Sequence, residues 1–213
     1  MNMLDPATCL LSRRLRLATT ALHHQAEVVL DLPAAISDQA SYADILNRFH
    51  GVYMPLEQAL RRQSGWRDLN LDLQERGHAQ RLANDLAALN TGICDRGPPD
   101  FRWLTSFPHA LGALYVQEGS TLGGQIILRH LQARATGVSA NAMSFFGGYG
   151  SDTRARWQAL VAALDAFGEA HPEAQDAVQV GAEQTFLAVI AAFSARHPRS
   201  GSMATPSVVV CRA

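Results

Sequence analysis

The sequence contains no lysine, and all eighteen of its basic residues are arginine. That excludes a Schiff-base mechanism and a phosphate-binding P-loop lysine, so any anion is gripped by Arg, His or backbone N–H. Cysteine is scarce. Cys9, Cys94 and Cys211 are far apart and odd in number, which fits neither a disulfide framework nor a Cys-x-x-Cys metal site and points to a reducing compartment. No charge surplus exists either, with eighteen basic against nineteen acidic side chains, so no nucleic-acid partner and no acidic solvating tail is expected. Nowhere do eighteen apolar residues follow one another, and the opening Met-Asn-Met-Leu-Asp-Pro places an acid before any apolar stretch. Membrane span and signal peptide are therefore both unexpected, and the chain reads as cytoplasmic.

What is present is 213 residues, 47% of them apolar, enough for one large domain with a real core. Ala, Leu, Arg, Gln and Glu dominate long stretches, while Pro and Gly fall mostly between them, the composition of an all-α protein. The pattern predicts a single-domain multi-helix bundle over residues 1–198, with helices at about 12–30, 41–64, 72–90, 108–136, 151–169 and 172–197. Ser12, Ser41 and Ser151-Asp152 are the expected caps, Pro172 a helix start and Pro198 a stop. Asn90 to Pro99 and Ser144 to Gly150 read as loops. Residues 199–213 read as a disordered tail, with Cys211 an exposed thiol.

On the first helix, steps of about 100° align Leu15, Ala18, Thr19, Leu22, Ala26 and Val29 as a core-facing stripe. His23 lands at its edge beside Arg16, Thr20 and Glu27, whereas His24 lands on the opposite side. Glu27 sits one turn on, where it can hold the His23 Nδ1–H and leave Nε2 to a metal. A half-buried histidine satisfied by a neighbouring carboxylate has the same spacing.

The fourth helix carries Gly112, Gly119, Gly123 and Gly124 within a strong helical pattern. Each interior Gly costs about 1 kcal/mol relative to Ala, so something gains from the missing side chains. Gly112, Gly119 and Gly123 share a narrow arc, and the pair at 123–124 permits a kink. Close helix crossing and a flat ligand lying against bare backbone both fit. Together, the two helices describe a slot with a metal ligand on one wall and no side chain on the other, which suits heme.

At these residues the sequence resembles the biliverdin-forming heme oxygenases, most closely the bacterial type often paired with bacteriophytochromes. Leu15, Arg16, Ala18, Thr19, His23 and Glu27 match the proximal pattern Leu-Arg-x-Ala-Thr-x-x-x-His-x-x-x-Glu. Tyr53-Met-Pro-Leu-Glu57 is similar to the family's Tyr-x-Pro-Leu-Glu. Tyr115-Val-Gln-Glu118-Gly119-Ser-Thr-Leu-Gly123 is similar to the bacterial distal motif, and the likeness continues through Phe146, Trp157 and Thr185-Phe186 to about Phe193.

The resemblance implies a heme oxygenase-like fold, with heme b as substrate and cofactor. The implied reaction opens the ring to biliverdin, CO and ferrous iron, using O2 and an external electron donor such as ferredoxin or a flavin reductase. It implies His23 as the iron ligand, Glu27 as its partner, Gly119 and Gly123 as the distal contact, and Gly124 as support for the bend. Arg16 would meet a heme propionate, and Arg154 or Arg156 would supply a second clamp. Tyr115 is a pocket hydroxyl or a core tyrosine, and Arg76 the loosest transfer, to a distal water network. The distal aspartate of the animal enzymes is missing. The implied partners are a redox protein and a bacteriophytochrome that receives biliverdin. The rival reading is a heme-binding chaperone, store or sensor of the same fold. A thiaminase-like enzyme would want a pocket cysteine, and a di-iron protein repeated Glu-x-x-His, of which only Glu75-x-x-His78 occurs.

Overall fold

The computed structural model describes residues 10–94, 97, 99–134 and 137–194, and among these there is helix but no strand. The elements are α1 (Leu11–Ala18), α2 (Thr20–Leu30), α3 (Gln39–Arg61), α4 (Ala79–Ala88), α5 (Phe107–Ala133), α6 (Ser144–Gly147), α7 (Thr153–Ala170) and α8 (Gln175–Ser194). The expected Pro198 stop, the 199–213 tail, Cys9 and Cys211 lie outside the described residues.

Several boundaries differ from the sequence reading for identifiable reasons. The expected 12–30 helix divides at Thr19, whose hydroxyl donates to the Leu15 carbonyl at 2.8 Å and competes with the backbone ladder. α3 is capped by Asp38, and Ser41 is the reciprocal partner of that capping box rather than the cap. α4 begins at Ala79 instead of 72, because Asp72 accepts from the Gln74 N–H and holds a turn there. The predicted loop Ser144 to Gly150 contains α6.

Three helix starts are held by carboxylates from other helices. Asp165 of α7 takes both the amide and the hydroxyl of Ser12 at the start of α1, so Ser12 donates rather than caps. Glu57 of α3 takes the amides of His78 and Ala79 at the start of α4. Asp85 of α4 takes the amides of Ser144 and Phe145 at the start of α6. An anion against unpaired N–H groups at the positive end of a helix stabilises the terminus and also docks the two helices.

α5 lies along α8, which also packs on α2 and α3. The α5–α8 crossing is close because glycines meet backbone there. A Cβ at Gly112 would lie 1.9 Å from the Val178 carbonyl oxygen, and one at Gly181 would lie 2.1 Å from that of His109. The stretch Pro172–Ser194 is long and apolar enough by composition to cross a membrane; in this fold α8 is packed into the bundle.

Candidate functional site

Between α2, α5, α8 and the α6 turn lies a cavity of about 720 Å³, in the upper range of ligand pockets. Its wall is mostly apolar, including Leu30, Phe49, Ile127, Phe145, Phe146, Trp157, Phe186 and Val189. Leu122 and Ile126 of α5 line it while staying exposed, the kind of uncovered apolar surface that marks a binding site.

His23 lines this cavity and His24 does not. The His23 ring meets Phe186 edge-on at 5.8 Å, and its Nδ1 lies 3.5 Å from Glu27 Oε1, so the carboxylate is positioned to orient the imidazole. His24 is 79% exposed, with its Nδ1 3.9 Å from the other Glu27 oxygen. Arg16 and Tyr115 also line the cavity. Burial pushes the Tyr115 hydroxyl upward, and the positive charge of Arg16 offsets part of that shift.

The glycines separate into two roles. Gly119, Gly123 and Gly124 line the cavity, whereas Gly112 belongs to the α8 crossing, so the expected arc of three glycines on one ligand wall is corrected to a wall without Gly112. A Cβ at Gly123 would meet nothing within 4 Å; one at Gly119 would touch the Trp157 ring at 3.4 Å and one at Gly124 the Phe146 carbonyl oxygen at 3.2 Å. α5 continues as α-helix through the 123–124 pair.

Neither Arg154 nor Arg156, the residues expected to supply a second clamp, is among the residues lining the cavity. Arg156 pairs with Glu75 at 3.1 Å and stacks over Tyr149, and Arg154 is exposed. Glu75 and His78 therefore do not converge. Among the described residues no group of three or more His, Cys, Asp or Glu side chains is arranged to hold a metal ion, and Cys94 is exposed.

Sequence reasoning missed a buried polar cluster against the cavity. Glu118 accepts from Arg76 at 2.6 Å and from the Tyr149 hydroxyl at 2.6 Å, and lies 3.3 Å from His78 Nε2. Burial pushes the Glu118 carboxyl up, but the bonds and charges of His78, Tyr149 and Arg76 outweigh it and hold the carboxyl below its ordinary value. Glu57 adds a bond from Gln117 Nε2 at 3.0 Å. Tyr53, on the cavity wall, donates to Ser120 Oγ at 3.2 Å, and burial pushes its hydroxyl up to about 12. A signal was available: Glu57 and Glu118 each sit four residues after and three before residues of a buried stripe, Tyr53 and Leu60 in α3, Leu114 and Thr121 in α5.

The heme oxygenase family model matches residues 10–95 and 105–195. The chain belongs to the heme oxygenase family. A heme oxygenase of Xanthomonas campestris pv. campestris is 31% identical over 155 residues, which is 70% of this chain and 86% of that protein. Among solved structures, a heme oxygenase from Neisseria meningitidis superposes with a TM-score of 0.72 at 20% identity, covering 92% of this chain and all of that one. A second, from Leptospira interrogans, gives 0.68 at 24% identity, covering 87% and 99%. Those two likenesses establish the heme oxygenase fold. All the helices that line the cavity lie within the family match.

Proposed function

We propose that this protein is a heme-degrading oxygenase that holds heme b in the cavity through His23 and opens its ring to biliverdin, CO and ferrous iron. The observation that carries this is one cavity bearing both an available imidazole and bare backbone at Gly119, Gly123 and Gly124 of one helix. The site suits a flat, apolar, anionic macrocycle: an apolar wall, an imidazole backed by a carboxylate, and an arginine on the same wall.

Heme, when bound, supplies the iron that activates O2 and the ring that is opened. The chain supplies the rest. Glu27 orients the His23 ring and raises its donor strength. As an imidazole rather than a thiolate, His23 would hold the iron without the strong electron donation that a thiolate supplies. Arg16 pairs with a propionate by a charge-assisted bond. Bare backbone at Gly119 and Gly123 lets the macrocycle lie close to α5, and the aromatic wall excludes water from it.

Electrons come from an external donor such as a ferredoxin or a flavin reductase. The likeness of the Tyr115 to Gly123 segment to the bacterial type supports a bacteriophytochrome as consumer of the biliverdin. The test is to mix the protein with hemin, add ascorbate or a ferredoxin–reductase system in air, and identify the product by chromatography. Loss of the Soret band with formation of biliverdin is expected. A stable complex that never bleaches with a competent donor would make the protein a heme carrier or sensor.

A further inference from the structure

The cavity wall is unevenly charged. Among the described residues that line it, Arg16 is the one arginine, a side chain charged at every working pH. Tyr115 stands beside it: the Arg16 charge acts on the Tyr115 hydroxyl, and the Tyr115 ring meets that of Trp157 at 5.3 Å. Among the described residues nothing accepts from the Arg16 guanidinium or from the Tyr115 hydroxyl, and neither group is sealed from solvent. Both donors are therefore open to a ligand in the cavity.

α7 adds no second cation there. Arg156 is committed to Glu75 at 3.1 Å and to the Tyr149 ring, and Arg154, one turn before Trp157, is exposed and outside the lining. What α7 contributes is the Trp157 indole, whose benzo edge rests 3.4 Å from the position of a Gly119 Cβ. An indole offers one neutral N–H and no charge. Other polar groups of the wall are engaged: Glu27 faces His23, the Tyr53 hydroxyl donates to Ser120 Oγ, and Ser120 donates to the Gln117 carbonyl. A carboxylate set against that wall loses its water without gaining a partner, a cost that returns it to solvent.

We propose that the cavity recognises one carboxylate of its ligand, held by the Arg16 guanidinium and the Tyr115 hydroxyl, and leaves any second carboxylate to solvent. Burial pushes the Tyr115 hydroxyl upward, so it stays protonated and donates beside the arginine. Trp157 is a positioning residue: its ring packs on that of Tyr115 and closes the α7 side of the cavity without adding charge. The substrate class is wider as a result, because a planar iron macrocycle with one free carboxylate is accepted as well as one with two. This rests on the reading of the cavity as the heme site.

The test is a set of Soret titrations of the full chain and of Arg16→Gln with hemin, hemin monomethyl ester and hemin dimethyl ester, which carry two, one and no free carboxylates. For the unsubstituted chain the monoester is expected to bind within about threefold of hemin, and the diester about tenfold or more weaker. Arg16→Gln is expected to weaken hemin and the monoester about tenfold or more and to leave the diester unchanged, since the pair it removes is already missing there. Affinity that falls in two equal steps from hemin to monoester to diester means that both carboxylates are gripped, and overturns the proposal. A diester that binds as tightly as hemin means that neither is gripped, and overturns it too. So does an equal loss for all three ligands in Arg16→Gln, which makes the arginine structural. In each of these cases the Soret complex with hemin still forms and the heme-site reading stands. No Soret complex of hemin with the unsubstituted chain overturns both.

Discussion

Arg16 and Arg156 show how one side-chain type takes opposite fates. Arg16 lines the cavity, while Arg156 is committed to Glu75 and Tyr149. An arginine–carboxylate bond to a ligand contributes about 1.5–3 kcal/mol. Arg16→Ala is accordingly expected to weaken hemin binding about tenfold or more in a Soret titration, and Arg154→Ala to leave it unchanged. Equal affinities across these variants would remove Arg16 from the site. That His23 and not His24 lines the cavity was legible from the wheel, because one helix decides which side each neighbour takes. The Arg156 contact was not, since Glu75 lies eighty-one residues away in sequence. Glu57 and Glu118 were legible as carboxylates on apolar stripes, but their partners come from other elements.

At the scale of the helix, α5 carries two kinds of glycine that sequence spacing treats alike. Gly112 is required by the α8 backbone, and Gly123 by nothing in the protein itself. Gly112→Ala forces a Cβ into the Val178 carbonyl and is expected to destabilise the fold by about 3 kcal/mol, the upper range of overpacking. Gly123→Ala gains about 1 kcal/mol of helix propensity and is expected to raise the unfolding midpoint. Both are read by urea denaturation, and a destabilised Gly123→Ala would contradict the division. Gly123→Leu is further expected to bind hemin yet lose ring cleavage; an unchanged biliverdin yield would count against the role of α5 as a bare wall. The long helices were legible, whereas α6 and the start of α4 were not, because Asp85 and Glu57 hold those starts from a distance that local rules do not search.

For the whole molecule, the buried Glu118 cluster joins α5, the segment before α4 and the loop after α6 into one unit beside the cavity. Removing one partner of a buried ion pair costs about 3–5 kcal/mol, the loss expected for Glu118→Ala. Its carboxyl is held below the ordinary 4.5 in the fold, so its contribution is fully present above that pH and is lost as pH falls through the lowered value. Urea midpoints measured against pH for the unsubstituted chain and Glu118→Gln are expected to converge on acidification below about 4.5. A constant separation across that range would mean the carboxyl is not held ionised by its partners. The all-α class was legible from composition and the cavity from two motifs, but the buried network beside its wall exists only once three separate segments are packed together.

The central claim is that His23, on the cavity wall and backed by Glu27, holds the iron of a bound heme. The most direct measurement is the absorption spectrum of hemin titrated into the unsubstituted chain, His23→Ala and His24→Ala. The account expects the same imidazole-ligated Soret complex for the unsubstituted chain and His24→Ala, and loss of that ligation in His23→Ala. Identical spectra from all three would contradict it.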